Sequence, residues 1–108
     1  MPLTVTSSLI AGRPVITLNG PLDLATVPSL HNALAAAILD NPATTIAVDL
    51  HGVEALDDVA LGVLLGEAGR ARRGGGDLIV VTSHDAMRQR LALTGFDRAI
   101  TVVPSLST

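Results

Sequence analysis

Two carboxylates stand side by side, Asp57 and Asp58, in "LDDVALGVLLG" (residues 56–66), directly before an apolar, glycine-spaced run. Three kinds of chemistry fit such a pair. One carboxylate can cap a helix, because Asp is a preferred N-cap residue, worth about 0.5–2 kcal/mol over Ala. The next can gain a few tenths to about 1 kcal/mol from the helix dipole. The pair could also be a general acid/base couple or part of a metal site, which needs further polar groups converging on it. Finally, one aspartate could occupy a position where another residue would do chemistry.

The acidic-pair chemistries find little support elsewhere in the chain. His31, His51 and His84 fall on different predicted elements with no i,i+3 or i,i+4 spacing, so each reads as a surface or satisfied residue. No metal site or cofactor is expected. A phosphoryl-accepting acidic cluster typically works with a lysine, and this chain has none. "RRGGGD" (72–77) leads into a strand and lacks a following Gly-Lys-Ser/Thr, so it is a helix stop and not a phosphate loop. Ser83, Thr94 and Thr26 read as caps or turn residues. No nucleophile–base pair is apparent, and an enzyme is not expected.

The elements that position Asp57 and Asp58 follow from periodicity. "LTVTSSLIAGRPVITLNG" (3–20) is two β-branched stretches joined by a turn over Ala11 to Pro14, a hairpin. From Pro21 the period changes: Asp23 or Thr26 can cap, Pro28 suits a first turn, and Leu30, Leu34, Ala37 and Ile38 share one face. Asn41-Pro42 ends this helix. "TTIAVDL" (44–50) is a central parallel strand, being almost continuously apolar. A second helix covers about residues 58–73, a strand 77–83, a third helix 84–95 stopped by Gly95, and a last strand 99–105. The order β-β-α-β-α-β-α-β predicts an α/β fold, a single domain over residues 1–108. Its sheet is mixed and mostly parallel, with an antiparallel N-terminal hairpin and helices packed on it.

Composition bounds the function. The 108 residues are 48% hydrophobic with one aromatic, Phe96, so the core must be aliphatic. Without Trp or Tyr, with net charge −3, and with arginine the only basic residue besides histidine, no nucleic-acid partner is indicated. The absence of cysteine excludes disulfides and thiolate chemistry. Mean hydropathy is positive, yet the apolar runs at 33–39 and 59–66 are far short of the roughly 18–20 residues that span a bilayer. "MPLTVTSSLI" is not a secretory signal, and a cytoplasmic protein with no membrane partner is expected. Gly62, Gly66 and Gly69 share one face of the second helix, each costing about 1 kcal/mol against Ala. Close packing on the sheet is the expected compensation, with a partner surface near Gly62 as the other reading.

Three blocks then resemble one family. "VDLHGVEALDDVALGVLLG" is similar to the signature of STAS domains, the bacterial anti-sigma factor antagonists: Asp-Leu-x-Gly-Val-x-x-(Ile/Leu)-Asp-Ser-(Ser/Thr)-Gly-Leu-Gly-Val-Leu-Leu. "GPLDLATVPSL" resembles the family's entry to the first helix, and "LTGFDRAITVVPS" its C-terminal block. The resemblance implies a binding module that engages a serine-kinase-type anti-sigma factor, as a monomer or homodimer, and so influences sigma-factor-dependent transcription. It also implies a partner surface of Asp23, Leu24, Thr26, Asp57, Asp58, Val59, Leu61 and Gly62.

This chain departs from the pattern where the phosphoacceptor serine belongs: Asp58 stands there, followed by Val59 and Ala60. Switching by serine phosphorylation is therefore expected to be lost. Asp58 either holds a state resembling the phosphorylated one, the slightly preferred reading, or leaves an antagonist that binds and cannot be switched off. The rival to both is a scaffold subunit in a larger signalling assembly.

Overall fold

The computed structural model describes residues 2–106. Strands β1 (Thr4–Ile10) and β2 (Arg13–Asn19) form the expected hairpin, Ile10 opposite Arg13. The connection is shorter than predicted. Only Ala11 and Gly12 lie outside the strands, both at positive φ (51° and 80°), as the tight hairpin turn matching strand twist requires. Arg13 and Pro14 belong to β2; Pro14 precedes the pairing of β2 with β3 at Val15, so its missing N–H costs no bond to β3.

Helix α1 (Val27–Asp40) is followed by β3 (Thr45–Gly52), α2 (Asp58–Arg73), β4 (Asp77–Val81), α3 (Asp85–Leu93), a single turn α4 (Phe96–Ala99) and β5 (Val102–Val103). The sheet order is β1-β2-β3-β4-β5, antiparallel at the first pair and parallel thereafter. Each crossover moves one strand onward in the same direction. With the usual right-handed crossover this puts every helix on one face. The core agrees. Ile16, Leu18, Ile46, Val48, Leu50, Leu78 and Val80 meet Leu30, Leu34, Leu64, Met87, Leu91 and Phe96 in one cluster. The alternate residues Val15, Ala47, Ile79 and Val81 form a small second cluster on the rear face, against Val103 and Leu106.

The last third differs most from expectation. Residues 82 and 83 lie beyond β4, α4 was not foreseen, and β5 is two residues long where 99–105 was predicted. Gly95, at φ 78°, ends α3 as expected, and the chain then turns once more because Phe96 is drawn into the core. A four-residue helix is too short to print a period.

The glycine face of α2 does not pack on the sheet. Ala60, Leu61, Leu64, Ala68 and Ala71 do so, while a Cβ added at Gly62 or Gly66 would meet nothing within 4 Å. Helix α2 is instead joined to α1 through a buried carboxylate. Nδ1 of His31 pairs with Oε1 of Glu67 at 2.8 Å, and Arg70 Nε lies 3.6 Å from Oε2. The Oε2 atom is charge-compensated at that distance without a hydrogen bond of its own.

Candidate functional site

The two helix entries lie together at the carboxyl ends of β2 and β3, as strand-end loops of adjacent parallel strands must. Gly20 N–H donates to Gly52 O (3.0 Å), Leu22 N–H to Ala55 O (2.9 Å), and Asp57 N–H to Leu22 O (2.9 Å). Leu22 and Leu56, both buried, form an isolated parallel bridge. The loop carrying Asp23 and the loop carrying Asp57 are thus stitched into one platform.

The first entry is internally satisfied. Asp23 Oδ1 accepts from the Thr26 N–H (3.1 Å), and Thr26 Oγ1 accepts from the Asp23 N–H (3.1 Å). The same hydroxyl donates to Pro21 O at 2.8 Å. Thr26 occupies the N-cap position of α1, but its hydroxyl turns back into the loop and makes no bond to the first helical turn. Thr26 is buried and Asp23 half-buried, while Leu24 at the loop's crest is 74% exposed.

The second entry is open. Asp57 is the N-cap residue of α2, extended at φ −86°, ψ 157°, and its carbonyl accepts from Ala60 (3.0 Å) and Leu61 (3.3 Å). The capping hydrogen bond expected of its carboxylate is not made: the backbone is held by the bond to Leu22, and the side chain stays in solvent. Asp58 supplies the negative charge of the first turn, where the dipole favours it. Arg90 Nη2, from α3, donates to Asp58 Oδ1 at 2.8 Å. Val59 is exposed, and Leu61 is buried beneath it.

Of the eight predicted residues, then, Leu24, Asp57, Asp58, Val59 and Gly62 are at the surface, Asp23 partly so, and Thr26 and Leu61 hold it from beneath. Asp58 separates two shallow grooves. One of about 430 Å³ is lined by Ala86, Gln89, Arg90, Leu93 and Thr94. The other, about 470 Å³, is lined by Leu61, Gly62, Leu65 and Phe96 among others. Arg90 and Leu93 were not foreseen, since nothing in the sequence links Asp58 to a residue 32 positions away.

The histidines, in contrast to expectation, do not all stand apart. His51 and His84 meet edge to face, ring centroids 6.0 Å apart. Strands β3 and β4 pair Asp49 with Val81, so continuing that register brings residues 51 and 83 opposite one another. Asp49, His51 and Ser83 then form a hydrogen-bonded chain on the rear face. Among the described residues, no group of three or more His, Cys, Asp or Glu side chains is placed to hold a metal ion.

A mixed five-stranded sheet with its helices on one face, and two stitched loop-to-helix entries beside each other, define a small α/β domain. The chain belongs to the STAS domain family, whose model matches residues 4–108. It is 30% identical over 107 residues to the anti-sigma-F factor antagonist RsfB of Mycobacterium tuberculosis, covering 96% of this chain and 84% of the relative. The crystal structure of an anti-sigma factor antagonist from Mycobacterium paratuberculosis superimposes with a TM-score of 0.84 at 30% identity, over 96% of this chain and 87% of that one. A putative anti-sigma factor antagonist from Thermotoga maritima shares the fold, with a TM-score of 0.82 at 19% identity over 94% and 87% of the two chains.

Proposed function

We propose that this protein is an anti-sigma factor antagonist whose partner is a serine-kinase-type anti-sigma factor, acting in the cytoplasm on sigma-factor-dependent transcription. Its relatives' names support the general role, and no helix among the described residues is long and apolar enough to cross a membrane. The surface it uses is the stitched platform: Leu24, Asp57, Asp58, Val59 and Gly62, with Asp23 at its margin and Thr26 and Leu61 as buried supports.

The observation that carries the mechanistic reading is the Asp58–Arg90 pair. A carboxylate there offers no hydroxyl to a kinase, so a serine switch at this position is lost. A phosphoryl group would place about −1.5 to −2 charges at this helix start. A single carboxylate brings about −1 charge, partly offset by the Arg90 guanidinium at 2.8 Å, and so falls short of a phosphoryl group. That favours a binder that is never switched off over a chain locked in a phosphorylated-like state, reversing the preference drawn from sequence alone.

Calorimetric titration against a kinase-type anti-sigma factor, with and without ATP, tests this. The parent chain and Asp58→Ser are expected to bind within about tenfold of each other without ATP, a gap of under roughly 1.4 kcal/mol. With ATP only the serine variant should lose affinity. Binding by the serine variant alone would mean that Asp58 is a built-in off state. Binding by neither, together with a large defined mass in solution, would turn the reading to a scaffold subunit.

A further inference from the structure

We propose that Ser83 is an activated nucleophile, served by His51 as general base and Asp49 as the residue that orients it, and that it takes an acyl group from an activated ester. His51 Nδ1 lies 2.7 Å from Asp49 Oδ1, and the same oxygen accepts the His51 backbone N–H at 2.9 Å. An ionised carboxylate only accepts, so the ring proton sits on Nδ1 and Nε2 is the acceptor nitrogen. That nitrogen faces Ser83: Oγ at 3.0 Å, with the Ser83 N–H donating at 3.2 Å. The His51 main chain is fixed in turn, since Nε2 of His84 bonds its carbonyl at 2.8 Å.

This is the arrangement nucleophilic catalysis requires: a hydroxyl within hydrogen-bond reach of a base, and the base held in one tautomer by a third group. The parts come from rigid elements. Asp49 and His51 are two residues apart on β3 and so share the rear face, and Ser83 lies two residues past the end of β4. Ser83 and His51 are solvent-exposed, so an ester can reach them.

In the step itself, Ser83 Oγ bonds to the ester carbonyl carbon as its proton moves to His51 Nε2. The carbon–oxygen bond to the leaving group breaks, and the departing alkoxide takes that proton. Water, activated by the same imidazole, then cleaves the acyl-serine and regenerates the hydroxyl. None of this uses a residue of the Asp58 platform.

A fluorophosphonate probe reads the nucleophile directly, since Oγ displaces fluoride from phosphorus and the adduct is stable to peptide mapping. Incubation of the intact chain is expected to add one label, on Ser83, and none in Ser83→Ala. His51→Asn should slow labelling by about 100-fold or more, the contribution of a positioned general base. Asp49→Asn, which keeps an acceptor for the His51 N–H, should also slow it while the unfolding midpoint stays in place. An unlabelled parent chain, a label on another serine such as Ser29, or a His51→Asn variant that reacts at the parent rate overturns the proposal.

Discussion

Helices α1 and α2 start from adjoining, hydrogen-bonded loops, each preceded by an aspartate, and they begin in opposite ways. At the entry to α1, Asp23 and Thr26 bond one another in both directions and bury the threonine hydroxyl. At the entry to α2, Asp57 leaves its carboxylate in water, and Asp58 finds a partner only across the surface in Arg90. The same residue type serves stability in one loop and remains available in the other. A polar group that is buried must be satisfied within the fold, whereas one at the surface can wait for a partner.

The largest effect that could break this contrast is at Thr26. Replacing it with Ala removes the acceptor of the Asp23 N–H and the donor to Pro21 O. Loss of a buried hydrogen-bonded group of this kind costs about 1–3 kcal/mol, readable by urea unfolding. If Thr26→Ala leaves the midpoint unchanged, the first entry is not the structural one.

Gly66→Ala is the next largest and of opposite sign. The new methyl meets nothing within 4 Å, so relief of the helical glycine should raise stability by about 0.5–1 kcal/mol. Anti-sigma binding should not change, because Gly66 is off the platform. A double-mutant cycle on Asp58 and Arg90 should give a smaller coupling, about 0.2–1 kcal/mol and falling with salt, as for exposed ion pairs. Smallest of all is Asp57→Ala. With no side-chain cap bond to lose, the stability change should stay within about 0.5 kcal/mol. Its effect on partner affinity should be the greater of the two, and a larger stability loss would show that Asp57 is a cap after all.

What could be read from the sequence was what repeats or what is local. The nearly continuous apolar run of β3, the stripe of Leu30, Leu34 and Ala37 on α1, and the stop at Gly95 are all written within one element. What could not be read depends on register between elements. The pairing of Asp49 with Val81 decides that His51 meets Ser83, and nothing within either strand announces it. The Asp58–Arg90 and His31–Glu67 pairs are hidden for the same reason. The glycines of α2 misled because a helical face rich in glycine looks the same in sequence whether it touches a sheet or solvent.

The strand order carries one more consequence, for how the chain reaches this shape. Every strand pairs with its immediate predecessor, so no hydrogen-bonded ladder waits for the far end of the polypeptide. Each new pairing closes only a tight turn or a short helical connection, and the entropy of closing a loop grows slowly with its length. A sheet assembled in this order can grow strand by strand as the chain is synthesised, each added strand finding its neighbour already in place.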